Sequence, residues 1–531
     1  MQKHWADQLA GKVKDERGDK DSYIFNSGMS ISGKMHIGNL RGELAIPSRV
    51  KRILEQEGKD VKFYGIYYTQ DRFKAKDSQL EKFDDPEEAE KYEGWRLVDV
   101  PDPEGCHENW VEHFNSENQP YLPEYGIEVE PLTTTEFYRM DETKELIRKF
   151  LENKERVRQV LNEYRDRQPY PEGWIPFDPR CESCNRIDKT DAKEIDFEED
   201  RVRYECKACG DEGWSPIEKG KLAWRLEWSA LWEVLDVDFE PYGKDHATPG
   251  GSRDSCVALA EEFDLNYPTG FSFNWVYWKR EGEVKGDMTS SGDRGITTKA
   301  FLDYAEPEVL TYLYLSTKPM KEIYFDPDKL PDYVRRFDRA ESIYFGEEEA
   351  RDEKREENIK RNYELAMLDL PEKSPVRIPY KAACMIYQLV ESEDRRVKVA
   401  KKLEDVPSQL SEEDRKRVLE RIEMAGNWLG EYPVEDFRIE VQEEVSEEAR
   451  DELSEEELKA LKSLGEDLEE ELSAKEAQSK VYELSDDFDI GAGEAFQSVY
   501  LTILGKESGP RAGNLIKAVG QEKVRDLIDQ L

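Results

Sequence analysis

Between residues 21 and 68 the chain runs strand, glycine-punctuated turn, helix, strand, and this order constrains the fold more than any other feature. Asp21 to Gly28 (Asp-Ser-Tyr-Ile-Phe-Asn-Ser-Gly) reads as a short strand ending in a turn. Glycines and small residues follow, then a helical pattern from about Leu40 to Gly58, then a β-branched and aromatic strand from Val61 to Tyr68. Two strands joined through a helix belong to a parallel sheet, so an α/β fold is expected. Residues 100–215 interrupt the pattern with proline, cysteine and charge clusters and read as an insertion. The α/β pattern resumes near Lys221 and runs to about Pro319. From about Asp328 long stretches are rich in Glu, Lys, Arg, Leu and Ala, as in Glu347 to Leu368 and Pro407 to Trp428, which suits amphipathic helices. The expected architecture is a Rossmann-type nucleotide-binding domain over 1–320, interrupted at about 100–215, then an all-helical domain over 321–531.

A chain of 531 residues is too long for one core. Its charge of −42 comes from 120 acidic against 78 basic residues spread along the whole length. Disorder does not explain it, because 11 Trp, 26 Tyr and 20 Phe demand packed cores. A surface adapted to very high salt does: screening lengths fall to about 3 Å at 1 M salt, so an acidic shell stays soluble without repelling itself. No apolar run approaches a membrane span, and Met1 to Lys20 is polar and charged, which points to the cytoplasm.

The turn after the first strand carries the chemistry. Gly28, Gly33 and Gly38 flank His36 where a strand's carboxyl end meets a helix N-terminus, the usual place for a nucleotide in an α/β sheet. Glycines let a ligand approach the backbone, and His36 can donate to a phosphate oxygen as charge develops. The spacing is not that of a Walker loop.

Seven cysteines in a chain of this kind argue against a disulfide framework. Cys181-x-x-Cys184 and Cys206-x-x-Cys209, 21 residues apart, have the spacing of a four-thiolate zinc site. Asp102, Cys106, His107 and His113 offer a weaker, mixed set, for which a helix face with incidental histidines stays open as an alternative.

His36-Ile37-Gly38-Asn39 resembles the His-Ile-Gly-His signature of class I aminoacyl-tRNA synthetases. Asp287-Met288-Thr289-Ser290-Ser291 resembles their Lys-Met-Ser-Lys-Ser signature, with Asp287 in place of the first lysine. Lys285 stands two residues earlier, and Gly286, Gly292 and Gly295 loosen the segment. Lys219 to Trp228, Val237 to His246, Gly250-Gly251-Ser252, Asp71-Arg72-Phe73, Pro101 to His107 and Gly509-Pro510-Arg511 are similar to class I lysyl-tRNA synthetases, the archaeal-type family. That resemblance implies ATP with Mg²⁺, L-lysine and tRNA(Lys) as substrates, a monomer, and a helical half that reads the anticodon. It implies ATP contacts at Gly28, Gly33, His36, Gly38, Asn39 and Met288, with His36, Lys34, Lys285, Ser290 and Ser291 doing the phosphate work. It implies lysine contacts at Gly28, Ser30, Trp224 and His246, with Phe273-Asn274 where the family has Tyr-Glu. It implies two structural Zn²⁺ ions, the second on the Asp102–His113 set, holding the insertion that receives the tRNA acceptor end. A class I enzyme for glutamate, cysteine or arginine is the first alternative. A non-activating, zinc-stabilised tRNA-binding paralogue is the second, and Asp287 favours it.

Overall fold

The computed structural model describes residues 3–165, 167–288, 294–403, 406–468 and 470–531. The chain divides into two compact units: 1–299 with 311–325, and 300–310 with 326–531.

The first unit is built on five parallel strands: β1 (Ser22–Met29), β2 (Asp60–Tyr67), β3 (Glu130–Thr133), β4 (Phe239–Gly243) and β5 (Thr269–Phe273). Their order is β5-β4-β1-β2-β3. β1 and β2 run in register from Ser22↔Asp60 to Met29↔Tyr67. β4 pairs with β1 on its other side at Phe25↔Phe239, so strand order reverses at β1 and opens a crevice at its carboxyl end. The Phe25 ring packs on Phe239 at 4.7 Å and on Phe63 at 6.3 Å. Helices Trp224–Val234 (α1) and Ser252–Phe263 (α2) join Asp141–Glu152 and Lys154–Glu163 in one apolar cluster that includes Ile66, Phe150, Leu231, Trp232 and Leu259.

Two expectations need amending. The stretch 100–215 is not one insertion, because Glu130–Thr133 pairs with Tyr64–Tyr67 as the edge strand of the central sheet. The rest of it includes a separate antiparallel sheet of Thr190–Asp196, Arg201–Cys206 and Glu212–Pro216. The helix after β1 is not regular either: Ile37–Asn39 leads into a π-helical turn, Leu40–Ala45, before Ile46–Gln56. The cause is tertiary. Arg41 is fully buried and donates to the carbonyls of Asn274 (2.9 Å), Lys318 (3.0 Å) and Lys321 (2.6 Å). Gly42 lies under the Phe273 ring, where a Cβ would come within 2.1 Å.

The second unit is helical from Leu330–Tyr344 to Gln521–Ile528 among its described residues. Its core holds a buried ionic network: Arg421 reaches Glu306 and Asp338 at 2.8 Å each, and Arg377 reaches Glu306 at 3.2 Å and Glu341 at 3.0 Å.

Candidate active site

His36 sits at the mouth of the crevice as the N-cap of the helix that follows β1. Its backbone N–H donates to Asn39 Oδ1 at 3.2 Å, and the next N–H, of Ile37, donates to the Ile296 carbonyl at 2.9 Å. His36 also bridges Thr297 in antiparallel fashion. A Cβ at Gly38 would stand 2.8 Å from His36 Nδ1 and 3.4 Å from the Met288 sulfur, so only glycine lets these three meet. His36, Gly38, Asn39 and Met288 therefore form one cluster, although its ends lie 252 positions apart in the chain (288 − 36). The imidazole is 9% exposed, and Nδ1 has no hydrogen-bond partner among the described residues. Burial pushes its pKa down to about 4, against a backbone hydrogen bond at Met288, so the ring is neutral at pH 7.

The cations expected near the phosphates are engaged elsewhere. Lys34 pairs with Glu117 at 2.9 Å, and Lys285 pairs with Glu283 at 2.7 Å. Asp287 ends a strand, Glu283–Asp287, which pairs with Val276–Arg280. Ser290 and Ser291 lie outside the described residues. Gly33 is buried in the turn.

A second group of residues gathers on the α1 side of the crevice. Gly28 is half-buried near the end of β1, and a Cβ there would meet the Tyr68 ring and hydroxyl at 2.6 Å. Ser30 follows, exposed. Trp224, the first residue of α1, lies 5.2 Å from the His246 ring and 5.2 Å from Trp228, which is itself 5.3 Å from His246. The sequence-expected pair Trp224 and His246 is thus brought together, with Trp228 completing a wall of three rings. Phe273 is 3% exposed and packs its ring against Gly42.

Sequence reasoning passed over three groups here. Glu43, on the π-turn, is half-buried. Burial, reinforced by the charge of Asp245, pushes its carboxyl up to about 8. Asp245 in turn lies 3.5 Å from His246 Nε2. Tyr68, just past the end of β2, packs on Gly28, and Glu240 lies buried behind Trp228, 2.9–3.0 Å from its indole nitrogen. The only signal in the sequence was the i, i+4 spacing of Trp224, Trp228 and Trp232.

Both cysteine-containing sets close into clusters. The Cys181, Cys184, Cys206 and Cys209 sulfurs lie within 4.8 Å of one another, with Cys181–Cys209 and Cys184–Cys206 at 3.6 Å. The edge of a sulfur tetrahedron with metal bonds of about 2.3 Å is about 3.8 Å, so the geometry fits Zn²⁺ and is far from a disulfide. Burial raises the thiols of Cys181 and Cys184, a cost that a divalent cation would reverse. In the second set Cys106 Sγ is 3.0 Å from His107 Nδ1 and 3.4 Å from His113 Nδ1, and Asp102 Oδ1 is 3.0 Å from His113 Nδ1. These four ligand atoms also lie within 4.8 Å of one another, a fit for a mixed tetrahedral ion. Trp110, inside this run, donates to the Ile31 carbonyl at 2.9 Å, which ties the cluster to the turn leading to His36.

Comparison with known proteins places the chain in a family. The family described as "tRNA synthetases class I (K)" matches residues 3–369, and an "Anticodon binding domain" family matches 400–531. A lysine–tRNA ligase of Aeropyrum pernix is 40% identical, covering 99% of this chain and 97% of its own. Those of Methanosphaera stadtmanae and Methanocaldococcus jannaschii are 33% and 32% identical over at least 98% of both chains. The chain belongs to the class I lysyl-tRNA synthetase family.

Proposed function

We propose that this protein joins L-lysine to tRNA(Lys) in two ATP-dependent steps. A lysine carboxylate oxygen attacks the α-phosphorus of ATP in line, forming lysyl-adenylate and releasing pyrophosphate. The terminal ribose hydroxyl of the tRNA then attacks the lysyl carbonyl, and AMP leaves. The observation that carries this reading is full-length similarity to lysine–tRNA ligases in a chain whose crevice holds the His36–Gly38–Met288 cluster.

The residue roles follow from the chemistry of the site. Phosphoryl transfer needs positioning and charge neutralisation rather than a protein nucleophile. Neutral His36 serves by hydrogen-bond donation, with the backbone at Gly28, Gly33, Gly38 and Asn39 lying close to the nucleotide and Met288 against it. Lys34 and Lys285 join by leaving Glu117 and Glu283, and Ser290 and Ser291 add hydroxyls. Mg²⁺, when bound with ATP, neutralises phosphate charge. On the amino-acid side, the lysine methylenes lie along Trp224 and His246 over Gly28 and Ser30. Glu43 is the counter-charge for an ammonium: a carboxylate held up at about 8 beside Asp245 is one that a cation stabilises. Phe273 shapes this pocket by packing against Gly42. The two clusters hold structural Zn²⁺, the helical unit reads the anticodon, and the enzyme works as a cytoplasmic monomer in a salt-rich cell.

Pyrophosphate exchange with ATP and each amino acid separately tests the reading. Exchange driven by lysine alone supports it. Exchange with glutamate, cysteine or arginine and none with lysine removes it. Asp287 favours a second reading, a tRNA-binding paralogue that activates nothing. In that case exchange would be absent with every amino acid and would appear in Asp287→Lys.

A further inference from the structure

Glu240, on β4, takes no part in the chemistry above. It is 2% exposed. Both its oxygens accept from Trp228 Nε1, at 3.0 and 2.9 Å, and Oε2 also accepts from Trp232 Nε1 at 2.5 Å. Arg253 NH1 stands 3.5 Å from Oε2. The same guanidinium lies over the rings of Trp232 (4.2 Å), Tyr242 (5.3 Å) and Trp228 (5.8 Å), and donates to the Pro268 carbonyl at 2.6 Å.

A buried carboxylate is costly unless donors surround it, and such groups persist where they fix a geometry that apolar packing would leave loose. Trp228 and Trp232 lie one turn apart on α1, so both indoles point toward one acceptor. Without it the Trp228 indole N–H loses both oxygens it donates to. Trp228 is the ring that backs both Trp224 and His246, at 5.2 and 5.3 Å. Its angle therefore sets theirs.

We propose that Glu240 is a positioning residue for amino-acid binding. It holds the two indole N–H groups and so fixes the ring on which the Trp224–His246 wall rests. This inference rests on the reading of that wall as the lysine contact. Gln in its place keeps the volume but turns one acceptor into a donor, which then faces an indole N–H with nothing to offer it.

The test is pyrophosphate exchange by the full-length enzyme, with lysine and ATP varied in turn. In Glu240→Gln the KM for lysine is expected to rise at least tenfold, with kcat within threefold of wild type and the KM for ATP unchanged. Trp228→Phe keeps a six-membered aromatic ring but loses the indole N–H, and is expected to behave alike, which preserves the test if Glu240→Gln does not fold. Trp224→Ala probes the wall itself. If it raises the lysine KM while a folded Glu240→Gln or Trp228→Phe leaves it untouched, the positioning role is overturned and the wall reading stands. If Trp224→Ala leaves the lysine KM unchanged, the wall reading falls and takes the inference with it. A loss of kcat matching the fraction unfolded, with the KM for lysine and for ATP both unchanged, marks a purely structural role and also overturns it.

Discussion

At the scale of residues, burial decides how the titratable groups behave. His36 has its pKa lowered to about 4 from an ordinary value near 6.5. Between those values the unfolded chain binds a proton that the folded chain refuses. The stability that neutral His36 allows is therefore complete above pH 6.5 and is lost as pH falls toward 4, by about 3 kcal/mol at most. His36→Asn removes this term. Denaturant unfolding of the two proteins from pH 7 to pH 4.5 is expected to show the wild type losing stability faster, and parallel curves would mean His36 is not buried. Glu43 has the opposite sign. Its pKa is raised to about 8, so the folded chain holds a proton that the unfolded one has released, and this contribution fades as pH rises through about 8. An ammonium placed against it drives that proton off. Lysine binding at pH 7 is accordingly expected to release up to one proton per site, seen by calorimetry in buffers of different ionisation enthalpy. Glu43→Gln is expected to release none and to bind lysine at least tenfold more weakly.

At the scale of elements, what was legible is what local pattern controls. β1 and β2 could be read because their aromatic and β-branched residues lie between glycine-marked turns, and the helix between them because Ile46–Gln56 is amphipathic. The cysteine pairs could be read because the knuckle is encoded in four adjacent residues. β3 could not, because Glu130-Pro131-Leu132-Thr133 buries only Leu132 and looks like a loop. The π-turn could not, because Arg41 and Gly42 answer to partners more than 200 residues away. Glu43 and Glu240 were missed for a related reason: charged residues read as solvated until the fold closes over them. The sheet of Thr190–Asp196, Arg201–Cys206 and Glu212–Pro216 buries Val202 in the main apolar cluster and Tyr204 with Cys206 in a small cluster of their own, which Zn²⁺ at the four thiols would reinforce. Cys184→Ser is expected to lower tightly bound zinc from two ions per chain to one, by elemental analysis, and to loosen that sheet first in hydrogen exchange. Two zinc ions retained in the variant would contradict the four-thiolate assignment.

At the scale of the whole molecule, charge and fold answer different questions. A net charge of −42 describes how the surface meets its solvent and says little about the crevice, where a few placed groups decide the chemistry. The fold is expected to persist at molar salt and to be lost as salt is diluted, when like charges are no longer screened. Circular dichroism across a dilution series reads this, and a fold indifferent to salt would refute it. The central claim is that the crevice around His36 and the Trp224–His246 wall charge tRNA with lysine. It is tested most directly by incubating the protein at molar salt with ATP, Mg²⁺, tRNA(Lys) and labelled lysine. ATP-dependent formation of lysyl-tRNA, slowed at least tenfold in Glu43→Gln at low lysine and at least a hundredfold in His36→Ala, is the expected result. No lysyl-tRNA from folded wild-type protein, or charging with another amino acid instead, would contradict it.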